Sequence, residues 1–158
     1  MKLQLHLTPW YEENEFNLEK VECIKNHLAK PEGGLWTSTF NPDTGSEWIQ
    51  SPFVDLFDNS KGTLIEVIGS PNILQIDSVE KAQNISDKYF FKSVLTTPCY
   101  DYEKMSEEFD AIRVSGEGLN KSSAFREYFV ESTLWFNTKY LEVYGSINVL
   151  KYRLEELN

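Results

Sequence analysis

The nine residues Tyr128-Phe129-Val130-Glu131-Ser132-Thr133-Leu134-Trp135-Phe136 are mostly apolar at both alternating sets of positions. A strand with one face in water would be polar at every second residue, so this stretch predicts a central strand covered on both sides. A central strand needs a sheet around it, and the rest of the chain supplies one. Leu3, Leu5 and Leu7 alternate with Gln4, His6 and Thr8, which predicts a half-buried strand over residues 2–8, ended by Pro9. Residues 35–40, 63–68, 73–76 and 110–115 read as further strands, separated by Asn-Pro-Asp-Thr-Gly, Gly-Ser-Pro-Asn and glycine breaks. Residues 140–144 and 147–152 flank Gly145-Ser146, a pair suited to a type II′ hairpin turn.

Helical periodicity appears in fewer places. From Glu12 to Ala29, Leu18, Val21, Ile24 and Leu28 fall within about a 120° arc, which predicts an amphipathic helix stopped by Lys30-Pro31-Glu32-Gly33-Gly34. Residues 46–58, with Trp48, Ile49, Phe53, Leu56 and Phe57, read as a short helical turn. Asp77 and Ser78 cap a helix through Ile85, with Glu80 three residues after Asp77 as in a capping box. A loop at Thr97-Pro98-Cys99-Tyr100 leads to a helix whose Tyr102, Met105 and Phe109 share a face. The whole predicts a single α+β domain over residues 1–158, with a mixed, mostly antiparallel sheet and three to four helices.

Composition sets the outer limits. Apolar residues make up 41% of the 158, with ten Phe, eight Tyr and four Trp, enough for a core and too many for a disordered chain. No apolar run approaches the roughly 20 residues of a membrane span, and the N-terminus lacks the apolar core of a signal peptide. Cys23 and Cys99, far apart, do not suggest a disulfide framework and fit a reducing cytoplasm. The net charge of −10 is uneven: residues 1–60 carry 4 basic and 10 acidic groups, residues 111–158 six of each. Such a chain is a poor fit to nucleic acid or an anionic membrane, and a better fit to a protein partner.

Several familiar sites are absent. Gly116-x-Gly118 has neither a third glycine nor a Gly-Lys-Ser/Thr sequel, and no Gly-x-Ser-x-Gly elbow occurs. Cys23 and His27 are four residues apart but fall short of a four-ligand set, so no metal is expected. Glu131 is the most informative carboxylate. Among Phe129, Thr133 and Trp135 it must be hydrogen-bonded, ion-paired or protonated, because burying it unpaired costs several kcal/mol. It is a candidate for chemistry, or else a partner of Arg113 or Arg126 or an edge-strand side chain facing water. His6 projects opposite the three leucines of the first strand. In Trp36-Thr37-Ser38-Thr39, Trp36 and Ser38 face one way and the threonines the other. Glu12, Glu15, Glu19 and Glu22 recur at i, i+3, i+7 and i+10, which on a helix makes one acidic stripe; with Glu13 and Glu32 it would imitate spaced phosphates or simply meet solvent.

The segment Lys30-Pro31-Glu32-Gly33-Gly34-Leu35-Trp36-Thr37-Ser38, followed by Gly45-Ser46-Glu47-Trp48, resembles a Lys-Pro-x-Gly-Gly-Leu-Trp-x-Ser pattern of small uncharacterised proteins of bacteria and their phages. The likeness extends through Ile76-Asp77-Ser78, Asp101-Tyr102-Glu103-Lys104, Phe109-Asp110-Ala111-Ile112 and Val130 to Asn137, and so covers most of the chain. Ala111 stands where that pattern has Gly, and Phe129-Val130 where it has Trp-Asp. At superfamily level the layout is similar to the ADP-ribosyltransferase fold, with His6, Ser38 and Glu131 in the places of its first-strand, second-strand and late-strand residues. That resemblance implies NAD as cofactor, His6 on its ADP-ribose side and Ser38 with Thr37 supporting the site. It also implies Trp36 stacked on the nicotinamide and Glu131 stabilising an oxocarbenium-like transition state. Two functions are therefore expected: an NAD-dependent transferase of a phage or mobile element acting on a host macromolecule, or a non-catalytic acidic protein that inhibits a host protein through Glu12, Glu15, Glu19 and Glu22.

Overall fold

The computed structural model describes residues 2–9, 12, 14–91 and 99–153, the side chains of 53 and 58–60 excepted. Seven strands form one mixed sheet: β1 (Leu3–Pro9), β2 (Leu35–Thr39), β3 (Phe57–Val67), β4 (Ile73–Ile76), β7 (Ala111–Val114), β8 (Ser132–Trp135) and β9 (Leu141–Ile147). Their spatial order is β4-β7-β8-β2-β1-β3-β9. Among the described residues only β4 and β7 run parallel, so the sheet is mostly antiparallel, as expected. A second, two-stranded sheet pairs β5 (Phe90–Phe91) with β6 (Cys99–Tyr100). The helices are α1 (Glu47–Gln50), α2 (Val79–Tyr89) and α3 (Tyr102–Glu108). The fold is a single-domain α+β arrangement, and among the described residues no helix is long and apolar enough to cross a membrane.

Register assigns each side chain to a face. Leu5 opposes Ser38, Trp36 opposes Leu134, and Leu134 opposes Ile112, so these share one face. Over β4, β7 and β8 that face is covered by Ala82 and Tyr89 of α2, Tyr102 and Met105 of α3, and Phe125 and Tyr128. Over β1 and β3 it is covered by Ile49, Val54 and Val149. The opposite face carries Leu35, Ile65, Ala111, Trp135 and Leu141, and against them pack Phe16, Leu18 and Val21.

That last contact overturns the long N-terminal helix. Between Glu12 and Ala29 the described residues hold only a 3-10 turn at Leu18–Lys20, capped by Asn17 Oδ1 accepting from Glu19 N at 2.9 Å. The segment runs as a strap across the sheet, and the backbone contacts at its end explain why. Gly34 N donates to Glu22 O at 2.8 Å, Lys25 and Glu32 exchange two hydrogen bonds, and a Cβ on Gly33 would overlap the Cys23 carbonyl. Carbonyls committed to a neighbouring segment are not free for an i→i+4 ladder. Gly33 and Gly34 both have positive φ, 74° and 68°, so the glycine pair makes this close approach possible.

Three other expectations change. The central strand begins at Ser132, because Arg126–Tyr128 form a 3-10 turn and Phe129 sits at φ 53°. Gly145-Ser146 is no hairpin turn: β9 runs straight through it, paired along β3, with Gly145 opposite Leu64 and a register shift beside it. Residues 149–152 then form a 3-10 turn rather than a strand. In the capping box it is Ser78, not Asp77, whose side chain accepts from Lys81 N, and α2 continues to Tyr89. Glu13 and the Thr97-Pro98 part of the expected loop lie outside the described residues.

Candidate functional site

The three strands expected to carry chemistry are neighbours: β1 with His6, β2 with Trp36 to Thr39, and β8, which Glu131 immediately precedes. They do not share one cavity. Two separate spaces lie along them, and Ser51, Phe129 and Val130 line both.

The first is an open polar cleft of about 800 Å3, lined by Thr39, Asn41, Thr44, Ser46, Glu47, Gln50, Arg113 and Glu131 among others. Extending the β2–β8 register by two residues places Thr39 opposite Glu131. The Glu131 carboxylate is 5% exposed as a residue and accepts four hydrogen bonds. Ser38 Oγ donates at 2.8 Å and Thr39 N at 2.9 Å to Oε2; Thr39 Oγ1 donates at 2.8 Å and Arg113 Nε at 2.9 Å to Oε1. A carboxylate has about four acceptor positions, so these donors occupy all of them. Ser46 Oγ donates to Ser38 Oγ at 2.8 Å, and Glu47 Oε2 accepts from Glu131 N at 2.9 Å, which ties α1 to the same point. Arg113 is the partner that supplies the charge, with its Nη1 on Gln75 Oε1 at 3.3 Å.

The second space is an aromatic cavity of about 470 Å3, lined by Trp36, Trp48 and Tyr128 from the helix-covered face and by His6 and Leu35 from the other. It forms because β1 and β2 pair only as far as Leu5 and Ser38 and then part. In the gap, the His6 ring takes the place of a backbone partner: its Nδ1 lies 2.9 Å from the Trp36 carbonyl. A carbonyl only accepts, so Nδ1 carries the proton, and in the neutral ring Nε2 is then an acceptor. Burial lowers the His6 pKa, favouring that neutral form, while Trp36 O and the charge of Glu12 oppose the shift. Trp36, Trp48, Phe57, Tyr128 and Phe129 line the cavity with His6, Lys30, Glu12 and Ser132. Trp48 is held by its Nε1 donating to Ser132 Oγ at 3.0 Å, and stacks on Phe57 at 5.9 Å. Tyr128 is held by a buried 3.0 Å hydroxyl–hydroxyl contact with Tyr102.

The remaining candidates sit elsewhere. Thr37 and Ser38 are fully buried. Thr37 donates to Gln4 Oε1 at 2.7 Å and accepts from Trp135 Nε1 at 3.0 Å, a link that ties β1 to β2 and β8. Of the four glutamates expected to form a helical stripe, Glu12 lines the aromatic cavity and Glu15 pairs with Lys61 at 3.2 Å; all four are exposed on the strap, Glu19 within its 3-10 turn and none on an α-helix. Cys23 is exposed, and His27 meets Glu32 at 3.5 Å.

Sequence reasoning did not find Lys30, Tyr128 or Trp48 as cavity residues. Lys30 and Trp48 lie within the two motif segments, but their spacing alone says nothing of convergence, which comes from α1 packing on the face of the sheet that carries Trp36. No family model, curated protein or solved structure shows significant similarity to this chain.

Proposed function

We propose that this chain binds a pyridine nucleotide of the NAD class, with the planar nicotinamide seated in the aromatic cavity where β1 and β2 part. The observation that carries this is the convergence of five aromatic rings, one histidine acceptor and one lysine on a space of about 470 Å3, within the range of small-molecule pockets. Aromatic faces favour a flat heterocycle, and Trp36 and Trp48 offer the largest of them. Neutral His6 offers Nε2 to an amide N–H, which a carboxamide supplies.

A second reading makes the chain a transferase that moves ADP-ribose from NAD to a host macromolecule, with Glu131 acting at the ribose. The 2.8 Å contact between Ser38 and Glu131 favours it, since it joins two of the three expected residues. Glu131 would then have to exchange one of its four protein donors for a ligand hydroxyl.

Calorimetry with NAD separates these readings. Saturable binding that Trp36→Ala removes and Glu131→Gln retains supports the aromatic seat. Release of free nicotinamide by the wild type, lost in a folded Glu131→Gln protein, supports transfer. Absence of binding by folded wild type at millimolar NAD overturns both.

A further inference from the structure

We infer that Lys30 is the phosphate-recognising residue of the aromatic cavity, so that the cavity selects a nucleotide over the neutral-sugar nucleoside. This rests on the nucleotide seating proposed above. Lys30 Nζ lies 5.3 Å from the Trp36 ring centroid, 5.8 Å from Tyr128 and 5.7 Å from Phe129. All three rings line the cavity, and so does Lys30 itself. Cation–π attraction holds an ammonium in place without neutralising it.

Lys2, Lys61, Lys81, Lys88, Arg113 and Arg153 each meet a carboxylate at 3.2 Å or less. Among the described residues Lys30 is one of several lysines without a carboxylate partner, Lys20, Lys25, Lys104, Lys121, Lys139 and Lys151 being others. What sets Lys30 apart is its place beside three rings of the cavity. Burial draws its pKa down, and the charge of Glu127 opposes this from beyond ion-pair reach. Lys30 as a residue remains exposed at the cavity rim, with its ammonium beside the three rings, and a bound phosphate oxygen would supply that ammonium with a charge-assisted hydrogen bond. The backbone around Lys30 is fixed for this task. Pro31 is buried, and Lys25 and Glu32 bridge across the turn that carries Lys30. Glu12, the acid that also lines the cavity, works against any anion there, so the phosphate is expected on the side of the cavity formed by Trp36, Tyr128 and Phe129.

Tryptophan fluorescence titrations with two matched pairs test this: nicotinamide mononucleotide against nicotinamide riboside, and AMP against adenosine. Each is run on wild type, Lys30→Met and Lys30→Arg, with circular dichroism to verify folding. Wild type is expected to bind the phosphorylated member of a pair at least about tenfold more tightly, a preference typical of one charge-assisted contact. Lys30→Met should abolish the preference, bringing nucleotide affinity down to that of the nucleoside, while Lys30→Arg should retain it. Equal affinities in wild type, or a preference that survives Lys30→Met, overturns the role of Lys30 and leaves the aromatic seat standing. If neither member of either pair binds folded wild type, the seat and the role of Lys30 fall together.

Discussion

Arg113 Nε and Glu131 Oε1 meet at 2.9 Å where β7 ends and β8 begins, and the same carboxylate takes three further donors from the end of β2. One side chain thus clamps three adjacent strands at the lip of the polar cleft. The Arg113 side chain keeps 25% of its surface in water and that of Glu131 6%, so the pair is buried mainly on the acid's side.

Removing either partner leaves donors or a charge unsatisfied. Glu131→Gln and Arg113→Met are each expected to lower stability by about 2–4 kcal/mol, enough to move a melting temperature by several degrees in a chain of this size. Urea unfolding measures it. A Glu131→Gln protein as stable as wild type would show that the carboxylate is not a structural clamp and would favour its catalytic reading.

The Tyr102 and Tyr128 hydroxyls are buried 3.0 Å apart, and burial raises both pKa values. Tyr128→Phe orphans the Tyr102 hydroxyl and should cost about 1–3 kcal/mol, whereas Tyr102→Phe combined with Tyr128→Phe should cost less than the two single changes added together. An additive double-mutant cycle in urea would refute the coupling.

Gly34 has φ 68°, and a Cβ there would lie 2.7 Å from the Trp135 carbonyl oxygen and 2.6 Å from Ile24 Cδ1. Gly34→Ala is expected to cost about 2 kcal/mol or more, through strain added to a displaced β2–β8 pairing. Because Gly34 also lines the aromatic cavity, the variant should bind any cavity ligand more weakly. Unchanged unfolding midpoints would contradict the close approach.

His6 has a folded pKa below its ordinary value, chiefly through burial. Above about pH 6.5, the unfolded value, both states are neutral and its contribution to stability is complete. As pH falls, the unfolded chain takes the proton first, so stability declines from about pH 6.5 down through the folded pKa. Unfolding free energies measured from pH 7.5 to 5 should fall more steeply for wild type than for His6→Asn. Parallel curves would exclude His6 as the source.

Much of the sheet was legible because alternation reports burial directly. Leu3, Leu5 and Leu7 on β1 needed only the period-2 pattern, while the 132–135 core of β8 was legible as a run apolar on both faces and Ile73–Ile76 as a short apolar run after turn residues. The α+β class and the mostly antiparallel pairing came from the same patterns. The strap was not legible. Its apolar residues satisfy a helical period equally well, and what straightens the chain is backbone hydrogen bonding to Glu32 and Gly34, partners that lie outside any local window. Gly145-Ser146 misled for a related reason: β3 is long enough to pair with both sides of it, so no turn is required.

The candidate residues divide along the same line. From residue types alone, Glu131 had to have partners, because a carboxylate among Phe129, Thr133 and Trp135 cannot be buried without them, and Arg113 was among the choices. That the partners would number four, that His6 would bridge the opening between β1 and β2, and that Lys30 would reach three rings from distant parts of the chain were decided only by tertiary structure. Sequence determines which groups need a partner, since that need is a property of charge, polarity and burial. Which partner meets it depends on strand order and on where paired strands separate, and those are set by the packing of the whole sheet.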